Sequence, residues 1–203
     1  MGYRRCRCAV NGMDQLRSRP LVDGERSHRA HTSDATHWTT STPSAPAPGW
    51  AHQAFSRALA NQLDEAVCAA KAPFQVAEAV NVRSEGRLFV PDIVIADDSA
   101  VDWSTTVVPV EAVLLLVEIV CPFNKPQDRV FKPALYAQAN VPAYWRVELE
   151  PSPHVIVHEL SGNAYQEVGI LKGQQTATVA GAFTAELDLD RVRARFRPTD
   201  ACD

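Results

Sequence analysis

The chain has 203 residues, 46 % of them apolar, with a formal net charge of −4, which allows one domain with a sizeable core and leaves little room for two. That acidic balance excludes a molecule that gathers nucleic acid by bulk positive charge alone. The longest apolar run, Val107 to Val117, is interrupted by Pro109 and Glu111 and is too short to span a bilayer, so no membrane partner is expected.

Residues 1–48 hold seven Arg and four acids, a net of +3, so the remainder carries −7. Large aliphatic residues are scarce there, and Thr39 to Pro48 is a Thr/Ser/Pro/Ala stretch. The reading is a disordered or divergent tail ending near Gly49, followed by one domain over residues 49–198. No apolar stretch follows the first basic residues, so no secretory signal is read and the cytoplasm is the expected compartment. The five cysteines, an odd number in a chain read as intracellular, point to free thiols. The Cys6-x-Cys8 pair lacks a second pair at zinc spacing.

Phe55, Leu59, Leu63 and Val67 recur every four residues, which predicts an amphipathic helix over Ala51 to Ala70, closed by Pro73. Two strand-like runs follow, Phe74 to Val82 and Arg87 to Ala96, joined by a turn at Ser84, Glu85 and Gly86. Asp97 to Thr106 reads as a polar loop. Glu111 to Val120 is a dense β-branched and leucine run, the mark of a central strand buried on both faces. Gln127 to Asn140 reads as a helix, with strands over Val141 to Leu149, Val155 to Leu160 and Tyr165 to Leu171, and a short helix near Asp190 to Arg197. The order is that of a mixed α/β fold with one core.

Glu118 stands inside Leu114-Leu115-Leu116-Val117-Glu118-Ile119-Val120, and strand alternation puts it on the face of Leu116 and Leu114. A carboxylate there needs a salt bridge, a proton or a metal ion. Asp92 follows Pro91 at the start of another apolar strand, Ile93 to Ala96. Acids on neighbouring strands can converge on a cation that takes hard oxygen ligands, such as magnesium. Asp97, Asp98 and Asp102 cluster at a strand end and read as a solvated turn. Asp128, Lys132 and Tyr136 are spaced to share a helix face. Lys132 either pairs with Asp128 at the surface or turns its ammonium to a scissile group, which requires it within roughly 6 Å of the carboxylates.

Pro91-Asp92, Glu118 in a buried strand, and Lys132 and Tyr136 on the next helix resemble the PD-(D/E)XK nuclease superfamily. The closer resemblance is to its bacterial restriction-endonuclease branch, through Val117 to Pro122, Asp128 to Tyr136 and Val141 to Val147 at matching spacings. It covers residues 44–190. It implies a restriction-endonuclease-like core, a mixed β-sheet flanked by helices, with Asp92, Glu118 and the carbonyl of Ile119 binding Mg²⁺ (or Mn²⁺). The position two after the acid, where the family's lysine usually stands, is Val120, so Lys132 inherits the catalytic role, with Asp128 and Tyr136 orienting it. Cys121, Phe123 and Asn124 depart from the branch's serine-rich loop, and residues 1–43 show nothing like its initial hairpin.

Two functions are open on this reading. One is a metal-dependent endonuclease hydrolysing phosphodiester bonds in DNA, with a homodimer expected by analogy for cutting two strands. The other is a non-catalytic descendant acting as a binding or assembly module. Among smaller signals, His52 reads as a solvent-facing helix-start histidine. His154 and His158 read as the exposed face of a strand, and Tyr144-Trp145 as core. Arg191, Arg193, Arg195 and Arg197 alternate and would form a basic edge on a strand, though a solvated face is the plainer reading. No phosphate-cradling Gly-rich loop, nucleophile elbow or H-E-x-x-H motif is present.

Overall fold

The computed structural model describes residues 49–120 and 127–194, with the side chains of Gln127, Asp128 and Arg193 left aside. The tail expected over residues 1–48, the loop with Cys121, Phe123 and Asn124, and Arg195 and Arg197 lie outside the described residues.

Helix α1 (Trp50–Ala70) buries Phe55, Leu59, Leu63 and Val67, the stripe set by their four-residue spacing. Its end is made before Pro73: Lys71 adopts a left-handed conformation (φ 50), and Ala72 donates back to the Val67 carbonyl, satisfying a terminal carbonyl. The two runs expected to form one hairpin do pair, but each is broken. Strands β1 (Phe74–Glu78) and β4 (Ile93–Asp97) pair in one sheet, while β2 (Asn81–Ser84) and β3 (Arg87–Phe89) pair in another. Phe74 faces Asp97 and Val82 faces Phe89, so the register continues across the break. Ala79 at φ 52 bends one arm, and Pro91, which has no N–H to give a ladder, lies in the other. At the turn, Gly86 takes φ 66, a conformation that costs glycine little.

The main sheet has six strands in the order β1-β4-β6-β7-β8-β9, with β6 (Val113–Ile119), β7 (Ala143–Glu148), β8 (His154–Ser161) and β9 (Ala164–Lys172). Among the described strands of this sheet only β6 and β7 pair in parallel, and α2 (Lys132–Gln138) lies between them in the chain, as a parallel crossover requires. Strand β5 (Val107–Pro109) joins β2 in the small sheet. A hairpin that sequence reading did not anticipate, β10 (Gln174–Val179) and β11 (Phe183–Asp188), buries Ala177, Val179, Phe183, Ala185 and Leu187 beside α1. The chain then makes one helical turn, α3 (Asp190–Arg193), so Arg191 and Arg193 do not lie on a strand edge.

The central strands β4, β6 and β7 are buried on both faces. One packs with α1 and the β10–β11 hairpin around Leu115, Val117, Ile119 and Trp145; the other packs with α2 and the small sheet around Leu116, Tyr136 and Tyr144. Leu114 departs from the expected alternation. The register with β4 shifts between Ile95 and Ala96, and the extra residue sends Leu114 to the α1 side, away from Leu116 and Glu118. No described helix is long and apolar enough to cross a membrane.

Candidate active site

Glu118 is 2 % exposed, on the α2 side of the central strand. Lys132, the first residue of α2, brings its Nζ to 2.7 Å from Glu118 Oε2, inside the distance that a direct role requires. One turn on, the Tyr136 hydroxyl donates to Glu118 Oε1. Both partners come from one helix face because their spacing is four residues. Asp128 belongs to a π-helical turn, Gln127–Phe131, that precedes α2; its side chain is outside the described set. Pro133 explains the change of winding, since it has no N–H for the carbonyl of Arg129 four residues back.

Asp92 precedes β4. One step beyond the Ile93–Val117 pair, the antiparallel register sets it opposite Glu118. Its Oδ2 accepts the Ile119 N–H at 2.7 Å, and its own carbonyl accepts from Ala79 N–H at 3.1 Å. The bend that splits the hairpin therefore also fixes this aspartate, at the end of the strand beside the buried acid.

His52 is the residue that sequence reasoning misplaced. It is 6 % exposed, not turned to solvent. Its Nε2 lies 3.2 Å from the Ile119 carbonyl oxygen and 3.4 Å from Asp92 Oδ2, while its Nδ1 is buried without a hydrogen-bond partner. Its position three before Phe55 on the buried face of α1 was the available signal. His158 is also packed, half-buried with its ring 5.4 Å from that of Tyr144. Asp97 and Asp102 behave as expected of a turn, accepting from Ser99 and from Ser104 and Thr105.

Burial pushes Glu118 up to about 7. The Lys132 ammonium opposes this and Asp92 adds to it; hydrogen bonds from Lys132 and Tyr136 hold it down. Burial and the Glu118 charge keep the Tyr136 hydroxyl protonated far above its usual range. Burial lowers the His52 value, but Asp92, the Ile119 carbonyl and Glu118 together outweigh it and the net shift is upward.

Asp92, Glu118 and the Ile119 carbonyl form a donor set made only of hard oxygens, which is the chemistry that Mg²⁺ or Mn²⁺ takes. Among the described residues no group of three or more His, Cys, Asp or Glu side chains gathers into a metal cage. Two carboxylates and a carbonyl leave most coordination positions to water and phosphate, as Mg²⁺ prefers. The residues fit such an ion.

A buried strand-borne acid, an aspartate at the next strand's end and a lysine from the following helix, on a mixed sheet between helices, define an α/β protein of nuclease type. The chain belongs to the family described as "Putative restriction endonuclease" (Uma2), whose model matches residues 42–191. Among solved structures it is similar to "a putative nuclease belonging to DUF820" from Anabaena variabilis ATCC 29413, at 14 % identity over 73 % of this chain and 83 % of that one, with a TM-score of 0.58. No curated protein matches.

Proposed function

We propose that this chain is an endonuclease that hydrolyses phosphodiester bonds in DNA, with Asp92, Glu118 and the Ile119 carbonyl holding Mg²⁺ or Mn²⁺. The observation that carries the reading is the convergence on buried Glu118 of Lys132, Tyr136 and, across the strand pair, Asp92. When bound, such an ion supplies Lewis-acid polarisation of a phosphate and a water acidified toward neutral pH.

The protein's own groups have distinct tasks. Tyr136 fixes one oxygen of Glu118 by hydrogen bonding and, because burial keeps it protonated, remains a donor throughout. Lys132 holds the other oxygen of Glu118 at 2.7 Å, which places its ammonium beside the candidate metal site, where a cation can meet charge developing on the phosphate. The Ile119 N–H orients Asp92, and His52 steadies the Ile119 carbonyl from the α1 side. The leaving 3′ oxygen takes its proton from solvent.

The test is cleavage of supercoiled plasmid and of single-stranded DNA with Mg²⁺, with Mn²⁺ and with chelator, for the wild type and Glu118→Gln. Metal-dependent cutting lost in the variant is expected. Undiminished cutting by the variant overturns the site, and no cutting by either folded protein favours a non-catalytic binding module. A homodimer suits cutting of both strands, and sedimentation with and without duplex DNA checks it.

A further inference from the structure

Helix α2 divides the sheet face that carries Glu118. Lys132 and Tyr136 turn to the acid, and on the helix's other side a cavity of about 340 Å³ opens against β7, β8 and β9. Arg129, Arg146, His158, Asn163 and Tyr165 line it, with no carboxylate among the described lining residues. Two arginines set against one carboxylate, Glu148, leave positive charge at this wall, and the volume is within the range of small-molecule sites.

The two arginines are not equivalent. Arg129 is committed: its Nε and Nη2 donate to the two oxygens of Glu148 at 2.8 and 2.7 Å, a bidentate pair. Arg146 sits 3.3 Å from the same carboxylate through Nε, but without hydrogen-bond geometry, and that Nε is buried and lacks a partner. Its guanidinium therefore lines the cavity as a cation that shares Glu148 with Arg129 at ion-pair distance and leaves its Nε without a hydrogen bond. Arg146 is also the residue that faces Glu118 in the parallel β6–β7 pair, one strand spacing away, ~4.8 Å. Beside it, the rings of His158 and Tyr165 both pack with Tyr144, at 5.4 and 5.5 Å, so the wall offers aromatic surface next to a positive charge. That pairing suits a base joined to a phosphate.

We propose that this cavity is a nucleotide subsite, in which Arg146 takes the phosphate of a nucleotide neighbouring the scissile bond and the His158–Tyr165 wall packs against its base. The place in the strand rests on the nuclease reading; the binding itself does not, and it is measured apart from cleavage.

The experiment is calorimetric titration of the chelator-treated protein with a deoxynucleoside 5′-monophosphate, the matching nucleoside and inorganic phosphate. Arg146→Gln keeps the stem and removes the charge. Ala164→Glu places a carboxylate at an exposed residue of the lining, where the fold is not at stake. The monophosphate is expected to bind more tightly than the nucleoside or phosphate alone, with affinity lost about tenfold or more in both variants, the effect of losing or opposing a charge-assisted contact. Glu118→Gln is expected to keep the binding, which separates the subsite from the catalytic centre. Equal binding of inorganic phosphate overturns the nucleotide assignment; absent binding, or binding unchanged in both variants, overturns the subsite. Either result leaves the cleavage assay free to succeed.

Discussion

Replacing Glu118 by Gln should change how the metal-free protein's stability depends on pH. In the folded protein the Glu118 carboxyl is pushed up to about 7, against an ordinary value of 4.5. The folded state thus holds this proton more tightly than the unfolded chain does. Stability is greatest below pH 4.5, falls as pH rises through the interval up to about 7, and levels above it. At ~1.4 kcal/mol per pH unit, that interval sets a ceiling of about 3 kcal/mol. Gln has the same shape and no ionisation, though its amide NH₂ faces the Lys132 ammonium at a cost that does not vary with pH. The comparison therefore lies in slopes. In urea unfolding with chelator present, the stability of Glu118→Gln relative to wild type should improve by ~2–3 kcal/mol between pH 5 and pH 8. Parallel pH profiles for the two proteins would refute the claim that burial raises the proton affinity of Glu118 in the folded state.

Tyr136→Phe keeps the ring that packs edge-on with Phe89 and removes the donor to Glu118; thermal or urea unfolding at pH 8 should show a loss of ~1.5–3 kcal/mol, shrinking at pH 5, where Glu118 is neutral. His52→Ala removes a buried ring bonded to the Ile119 carbonyl, and urea unfolding should register a cost of ~2 kcal/mol; a change within ~0.5 kcal/mol would return it to the class of surface residues. For Arg129 and Glu148, a double-mutant cycle of Arg129→Ala and Glu148→Gln should give a coupling of ~1 kcal/mol, and none if the pair is loose at the surface.

Much of the site can be read in the sequence because the chemistry sits on regular elements. A lone acid within the Leu114 to Val120 run has to be explained by any reading, and the four-residue step from Lys132 to Tyr136 places two partners on one helix face. The hidden parts depend on interruptions or on distant packing. Ala79 carries no turn signature, so the split of one hairpin between two sheets is not visible locally, although it sets Asp92 in place through the Ala79–Asp92 bond. The bulge at Leu114 arises from pairing with β4, not from its own residue type. His52 is buried because the first turn of α1 lies against the ends of β4 and β6, a tertiary fact that helical periodicity leaves open at a terminus. The β10–β11 hairpin went unread: Phe183, Ala185 and Leu187 alternate, but β10 is rich in Gln and Thr and has only Ala177 and Val179 buried.

The proposed function requires Asp92 and Glu118 to hold one divalent ion. Manganese titration followed by electron paramagnetic resonance, comparing wild type with Asp92→Asn and Glu118→Gln, tests this without requiring a DNA substrate. One site in the wild type, weakened about tenfold or more in each variant as expected when a charged oxygen ligand is lost, is the predicted result. Manganese binding that is absent, or equal in all three proteins, would contradict it.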